Sequence, residues 1–282
     1  MSQTLIPKRV DYNEGDIILS KYKIVKVLGS GAFGQVYKVA DIFTEGVHAF
    51  KLLRLWDVPA EIRQPLVDRF DMEFKTGLIA SPYLVHSFDH GFVDDNPYIL
   101  MEFCPGGDLS SKIGKKDIDV SRISRDILCG LADLHSNGKV HRDLKPENVF
   151  YSQEQGFCIG DVGFAALASL SYSSLPEKYR SPYTAPELLH EMAVLNDTVD
   201  VYSLGLMMYQ AYNGGTLPDI PCGQPLPAPL YADYEFADII LKACHTDAGK
   251  RWSSPAELAQ AIIDYIKKYS LSDAPIIPQI NE

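Results

Sequence analysis

His141-Arg142-Asp143-Leu144-Lys145-Pro146-Glu147-Asn148 is the stretch from which the fold can be read. It gathers two acids, two strong bases and an amide into a single short run. An apolar pattern at helical spacing precedes it: Ile123, Ile127, Gly130, Leu131 and Leu134. Asp161-Val162-Gly163 and Ala185-Pro186-Glu187 follow it. Further on come three more helical patterns. Val201, Leu204, Leu206, Met207 and Met208 mark one that is mostly buried; Phe236, Ile239, Ile240 and Ala243 mark the second; Leu258, Ile262, Tyr265 and Ile266 mark the third.

Upstream the pattern changes. Lys23-Ile24-Val25-Lys26-Val27-Leu28 and Gln35-Val36-Tyr37-Lys38-Val39 are β-branched runs separated by glycines, which predicts a β-hairpin over Tyr22–Val39. Val47–Leu53 is a third strand, and Leu84–Phe88 and Tyr98–Phe103 are two more. Between them Ile62, Leu66, Phe70 and Phe74 recur every four residues, predicting a helix over about 61–79. A strand-rich first third is therefore joined to a helix-rich remainder near 102–107, where Pro105-Gly106-Gly107-Asp108 breaks the chain. Residues 1–20 are expected to be an irregular polar extension, and 269–282 a loose tail.

Composition narrows the function. With 26 Lys plus Arg against 37 Asp plus Glu, the net charge of −11 opposes binding to nucleic acid or to anionic membranes. The 46% hydrophobic content excludes a disordered chain. No apolar run is long enough to span a bilayer, and the first residues lack the core of a signal peptide. Five scattered cysteines without Cys-x-x-Cys spacing argue against a zinc site or a disulfide framework. Reduced thiols in a cytoplasmic protein are expected. The oligomeric state is left open.

Gly29-Ser30-Gly31-Ala32-Phe33-Gly34 fits G-x-G-x-x-G, a weak pattern by itself. Its context is stronger. Strand continues on both sides, so the loop is a hairpin flap whose backbone N–H groups can approach phosphates without side-chain obstruction. Taken together, these motifs resemble the eukaryotic-type protein kinase family, Ser/Thr branch, over about Tyr22–Ile266. The resemblance implies an α+β bilobed fold. The N-lobe, about 21–103, would be a small antiparallel sheet with one main helix. A hinge would lie at about 102–107, and a larger, mostly helical C-lobe at about 108–268.

The resemblance also implies site residues. Lys51 would grip the α- and β-phosphates, with Glu73 as its helix partner. Asp143 would orient the acceptor hydroxyl and take its proton, and Lys145 would approach the transferred phosphoryl group. Asn148 and Asp161 would hold Mg²⁺, or Mn²⁺ in its place. ATP would contact the flap (Gly29, Ser30, Gly31, Ala32, Phe33, Gly34) and a roof of Leu28, Val36 and Ala49. Met101 would be the gatekeeper, Glu102 and Cys104 the hinge contacts, Phe150 the floor and Asp108 the ribose partner. Asp200, the pair Glu187–Arg251, and Arg142 would have supporting roles. The implied reaction is ATP-dependent phosphorylation of a protein Ser/Thr hydroxyl. The alternative is a pseudokinase, an ATP-binding or scaffold module.

Three departures from the family pattern stand out. Gly77 sits where a large apolar residue is expected four positions after Glu73, Val162 replaces the common phenylalanine, and Arg180 replaces a threonine. His141 is expected to pack rather than to react, and the other histidines carry no assignment. The segment between Gly163 and Ala185 offers Ser169, Ser171, Tyr172, Ser173, Ser174 and Ser181 to a phosphate that Arg142 could bind. Incubation with MgATP is therefore expected to place phosphate within 169–174, on Ser171, Ser173 or Ser174. Peptide mass spectrometry checks this, and a fully active protein without phosphate between 164 and 184 would overturn it.

Overall fold

The computed structural model describes residues 6–31, 34–115, 119–162, 181–189, 196–219 and 224–271. Their contacts separate into two compact units, Met1–Ala80 with Val85–Cys104 and Ser81–Leu84 with Pro105–Glu282.

In the first unit, strands β1 (Ile17–Ile18), β2 (Tyr22–Ser30), β3 (Gly34–Asp41), β4 (Val47–Leu53), β5 (Ser87–Val93) and β6 (Asn96–Glu102) form one antiparallel sheet. Its order is β1-β2-β3-β4-β6-β5. Alternation along the strands sorts side chains to two faces. One face buries Tyr22, Ile24, Tyr37, Val39, Phe50, Leu52 and Leu100 in a common cluster. The other carries Ala49, Lys51 and Leu53. There Leu53, Leu55 and Ile99 pack against Leu66 and Phe70 of helix α1 (Ala60–Thr76). The register sets Lys51 opposite Val36 on one side and Ile99 on the other.

The second unit is built around α2 (Val120–Ser136), α3 (Thr198–Tyr212), α4 (Tyr234–Ala243) and α5 (Pro255–Lys268). A two-stranded ribbon, β7 (Val149–Ser152) with β8 (Gly156–Ile159), follows the motif stretch. The helix starts are encoded locally. Asp119 accepts the Arg122 N–H, Asp233 accepts those of Glu235 and Phe236, and Ser254 accepts that of Glu257. Proline opens α5 at its first position, where a missing N–H costs nothing.

Three expectations are corrected. The fifth strand starts at Ser87 and runs to Val93, not over Leu84–Phe88. Leu84 is buried in the second unit, bridged to Ile159, so its apolar character reflects packing there. The extension is not irregular throughout: Ile17–Ile18 forms β1 and pairs with Lys23 and Tyr22 of β2. The Lys8 N–H donates to Asp94 O at 3.0 Å, and Val10 and Tyr12 pack on the outer sheet cluster. Helix α1 ends at Thr76 rather than near 79.

Gly77 accounts for that early end. A Cβ there would lie 2.1 Å from Ser87 Oγ and 2.8 Å from Ser87 Cβ. The Ser87 N–H donates to Gly77 O at 2.9 Å, so backbone meets backbone where the resemblance leads one to expect a large side chain. Gly77→Ala is expected to destabilise the protein by about 1–3 kcal/mol through overpacking. Urea unfolding measures this. Pairing with Ser87→Gly should recover much of the loss.

Candidate active site

The first unit supplies a lysine–glutamate pair. Lys51 Nζ lies 2.6 Å from Glu73 Oε1, and the side chains are only 18% and 8% exposed. α1 brings Glu73 to the sheet because Leu66 and Phe70 lie on the same buried face. Asp71 points elsewhere and pairs with Lys75 one turn on, at 2.6 Å. Breaking a buried pair from one side typically costs about 3–5 kcal/mol.

The flap closes the β2–β3 hairpin. The Gly31 N–H donates to Gly34 O at 2.9 Å, and Arg54 Nη2 donates to Gly31 O at 3.0 Å. A Cβ on Gly34 would lie 2.9 Å from Leu52 O, so only glycine fits beside β4. Gly29 and Ser30 pair with Val36 and Gln35, and Leu28 is 39% exposed. Ala32 and Phe33 lie outside the described residues. Ala49 is buried and stands opposite Met101. The Glu102 N–H donates to His86 O at 2.8 Å, and Cys104 is buried.

The second unit supplies the acid, the second lysine and the amide. Asp143 and Asn148 are 6% and 4% exposed. Lys145 Nζ donates to Asp143 Oδ2 at 2.8 Å. Asn148 Nδ2 donates to the Asp143 backbone oxygen at 2.8 Å and reaches Oδ2 at 3.3 Å. Those bonds commit the amide nitrogen to the loop and leave Oδ1 as the amide's acceptor atom. The Gly160 N–H donates to Asn148 O at 2.9 Å, which ties the strand before Asp161 to the loop. Asp161 itself takes a left-handed backbone, φ 55°, a conformation Asp tolerates better than most residues. A carboxylate and an amide oxygen fit the hard donor set that Mg²⁺ takes alongside phosphate. Phe150 is bridged to Asp108, whose Oδ1 accepts the Ser110 N–H at 2.9 Å. Val162 is buried. Gly163, Arg180 and the serines at 169–174 lie outside the described residues.

Asp200 holds the loop from below. Fully buried, it accepts the His141 N–H on Oδ2 and the Arg142 N–H on Oδ1, each at 2.8 Å. His141 packs as expected. Its Nε2 meets Gly160 O at 3.0 Å, and its Nδ1 accepts the Asp143 N–H at 3.3 Å. Burial of the Arg142 guanidinium outweighs the pull of Asp200 and lowers its pKa. Its Nε is buried without a hydrogen-bond partner among the described residues. Arg251 grips Glu187 with two parallel bonds of 2.6 and 2.8 Å and donates Nε to His245 O.

Residues 22–268 match the family model for the protein kinase domain. The chain belongs to the protein kinase family. Among curated relatives of this kinase is serine/threonine-protein kinase KIC1 of Saccharomyces cerevisiae, 31% identical over 206 residues, which are 71% of this chain and 19% of that one. CBL-interacting protein kinase 10 of Oryza sativa is 28% identical over 203 residues, 70% of this chain and 44% of that one. The kinase thus spans less than half the length of these relatives. The solved PknI kinase domain of Mycobacterium tuberculosis shares the fold, with a TM-score of 0.68 at 23% identity over 90% of this chain and 99% of that one.

One functional residue escaped the sequence reading. His135, on the last turn of α2, puts Nε2 at 2.8 Å from Asp200 Oδ2 and Nδ1 at 3.3 Å from Asp197 Oδ2. Its distance from the motif in sequence gave no metal-ligand or catalytic spacing, and only the meeting of α2 with α3 reveals its partners. Burial lowers its pKa, but hydrogen bonding and attraction from Asp200 and then Asp197 outweigh this and raise it. A raised folded pKa means that the stabilisation is complete below the unfolded value of about 6.5 and is lost as pH rises through the folded value. The parent protein's resistance to urea is therefore expected to fall as pH rises over that window. His135→Gln keeps a donor for Asp200 without the titrating charge, so it should remove that pH dependence. An identical pH profile in both proteins would contradict the assignment.

Proposed function

We propose that this chain is a Ser/Thr protein kinase that transfers the ATP γ-phosphoryl group to a protein hydroxyl with Mg²⁺. One observation carries the reading: Lys145 and the buried Asp143 and Asn148 lie joined by hydrogen bonds in one loop. Phosphoryl transfer asks little covalent chemistry of the protein. It requires charge neutralisation, alignment and a place for one proton. Asp143 orients the acceptor hydroxyl and receives its proton. Lys145, two residues on, carries positive charge to the transferred group, and its presence favours Ser/Thr over Tyr acceptors. Lys51, steadied by Glu73, binds the α- and β-phosphates. Asn148 and Asp161 hold Mg²⁺, which when bound neutralises phosphate charge.

The described flap positions, the apolar set Leu28, Val36, Ala49 and Met101, and Phe150 are assigned to ATP. Glu102 and Cys104 offer it backbone groups, and Asp108 the ribose contact. A scaffold reading would gain weight from a missing lysine, acid or amide, yet each is present. Val162 replaces the common phenylalanine but leaves the residue proposed to hold Mg²⁺, Asp161, unchanged. Among the described residues no helix is long and apolar enough to cross a membrane, and four cysteines are free thiols, which supports a cytoplasmic location.

Asp143→Asn preserves shape but removes the proton acceptor. Turnover on a generic Ser/Thr acceptor protein should drop by about 10²–10⁴. Nucleotide binding should persist, since Asp143 is not assigned to hold it. In a thermal melt, Asp161→Ala should abolish the Mg²⁺-dependent stabilisation by ATP, because a ligand stabilises only the state that binds it. Equal turnover in parent and Asp143→Asn would overturn the reading.

A further inference from the structure

The N-terminal segment meets the sheet at the same place as the segment that launches α1. Asn96 is the node. It is fully buried at the start of β6, and its amide joins three separate stretches of chain. Oδ1 accepts the Leu55 N–H at 3.1 Å, while Nδ2 donates to Lys8 O at 2.8 Å and to Asp94 O at 2.9 Å. Lys8 therefore reaches Leu55 through a single side chain.

A second contact repeats the link by packing. Leu55 and Trp56 are neighbours in the 3-10 turn Leu55–Asp57 and face opposite ways. Leu55 enters the inner cluster with Leu66 and Phe70 of α1. Trp56 packs on the outer cluster, as do Val10 and Tyr12. Tyr12 also meets the Tyr37 ring edge-to-face at 6.1 Å. The turn is thus held between α1 on one side of the sheet and the outer cluster, on which the N-terminal segment packs, on the other.

α1 needs such a hold. It begins after Pro59, which supplies no side-chain cap, so its first turn is not fixed by a capping side chain of its own. Three turns further on, the same helix presents Glu73 to Lys51. Pro65 lies inside α1 and removes one helix hydrogen bond near its start, so the hold reaches that pair through Leu55, which packs on Leu66 and Phe70 beyond the proline.

We propose that residues 6–16 form a strap which, through Asn96 and Trp56, positions α1 and so sets the Lys51–Glu73 pair for phosphoryl transfer. This rests on the kinase reading above. Asn96, Trp56 and Tyr12 are positioning residues that touch neither nucleotide nor acceptor.

The test uses the full chain carrying Tyr12→Ala, with Tyr12→Phe as the conservative control, at a temperature where circular dichroism shows each protein fully folded. If the strap positions the pair, Tyr12→Ala lowers kcat by roughly two- to thirty-fold, the range expected for coupling through packed networks. Tyr12→Phe restores it. In a Glu73→Gln background, Tyr12→Ala adds no further loss, because the pair it acts through is already broken. Hydrogen exchange in residues 60–70 quickens in Tyr12→Ala while exchange in 234–268 is unchanged. Unaltered kcat in folded Tyr12→Ala, losses that simply multiply with Glu73→Gln, or unchanged exchange in α1 would each overturn the proposal. Should Tyr12→Ala fail to fold, Val10→Ala is read in the same way. Should the parent transfer no phosphate at all, the kinase reading fails, and α1 exchange alone decides the strap.

Discussion

The loop that carries Asp143 hangs on one carboxylate. Asp200 accepts two consecutive backbone N–H groups, those of His141 and Arg142. The second belongs to a residue with φ 67°, a left-handed conformation that a side chain as large as arginine disfavours. Such backbone costs about 1–3 kcal/mol and persists only where its surroundings over-determine it. Hydrogen bonds to a charged acceptor contribute about 1.5–3 kcal/mol each, which is enough to hold the loop in place. His135 completes the arrangement by placing Nε2 2.8 Å from Asp200 Oδ2, a third partner for the buried carboxylate beside the two backbone N–H groups. The Asp143, Lys145 and Asn148 set follows directly on this anchor in the chain and adds its own hydrogen bonds to it.

Each unit prepares its polar groups in a different way. In the first, a sheet and a helix share an apolar cluster, and the Lys51–Glu73 pair lies at its margin. The geometry there depends on where α1 sits. In the second, short backbone bonds fix the loop residue by residue, and α2 and α3 contribute only the groups that hold it. The first arrangement is adjustable as a rigid body, while the second is locked in its own backbone.

Much of this was legible in the linear sequence, and the reason is physical. Asp143, Lys145 and Asn148 lie close in the chain, so their spacing is also their geometry. Strands β2 and β3 were legible because β-branched runs divided by glycines have few other outcomes. The failures share a different cause. Leu84 looked like strand because apolar character does not say which neighbour it packs against. How the irregular 6–16 segment is held was not legible, because its hold consists of backbone groups, one distant asparagine amide and the packing of Val10 and Tyr12. His135 was silent because its partners come from another helix. Glu73 was identified, but its register was uncertain until the close approach of Gly77 to Ser87 showed where α1 ends.

That approach has a bearing on how the chain can change over time. Positions 77 and 87 share a space that holds one small side chain, now placed at 87. A methyl group at 77 becomes acceptable only once the serine is gone, and removing the serine first leaves an unfilled gap. Neither single step is free, so the two positions should vary together among descendants of this sequence. A lineage that carries alanine at the end of α1 would be recognised by a glycine in the strand facing it.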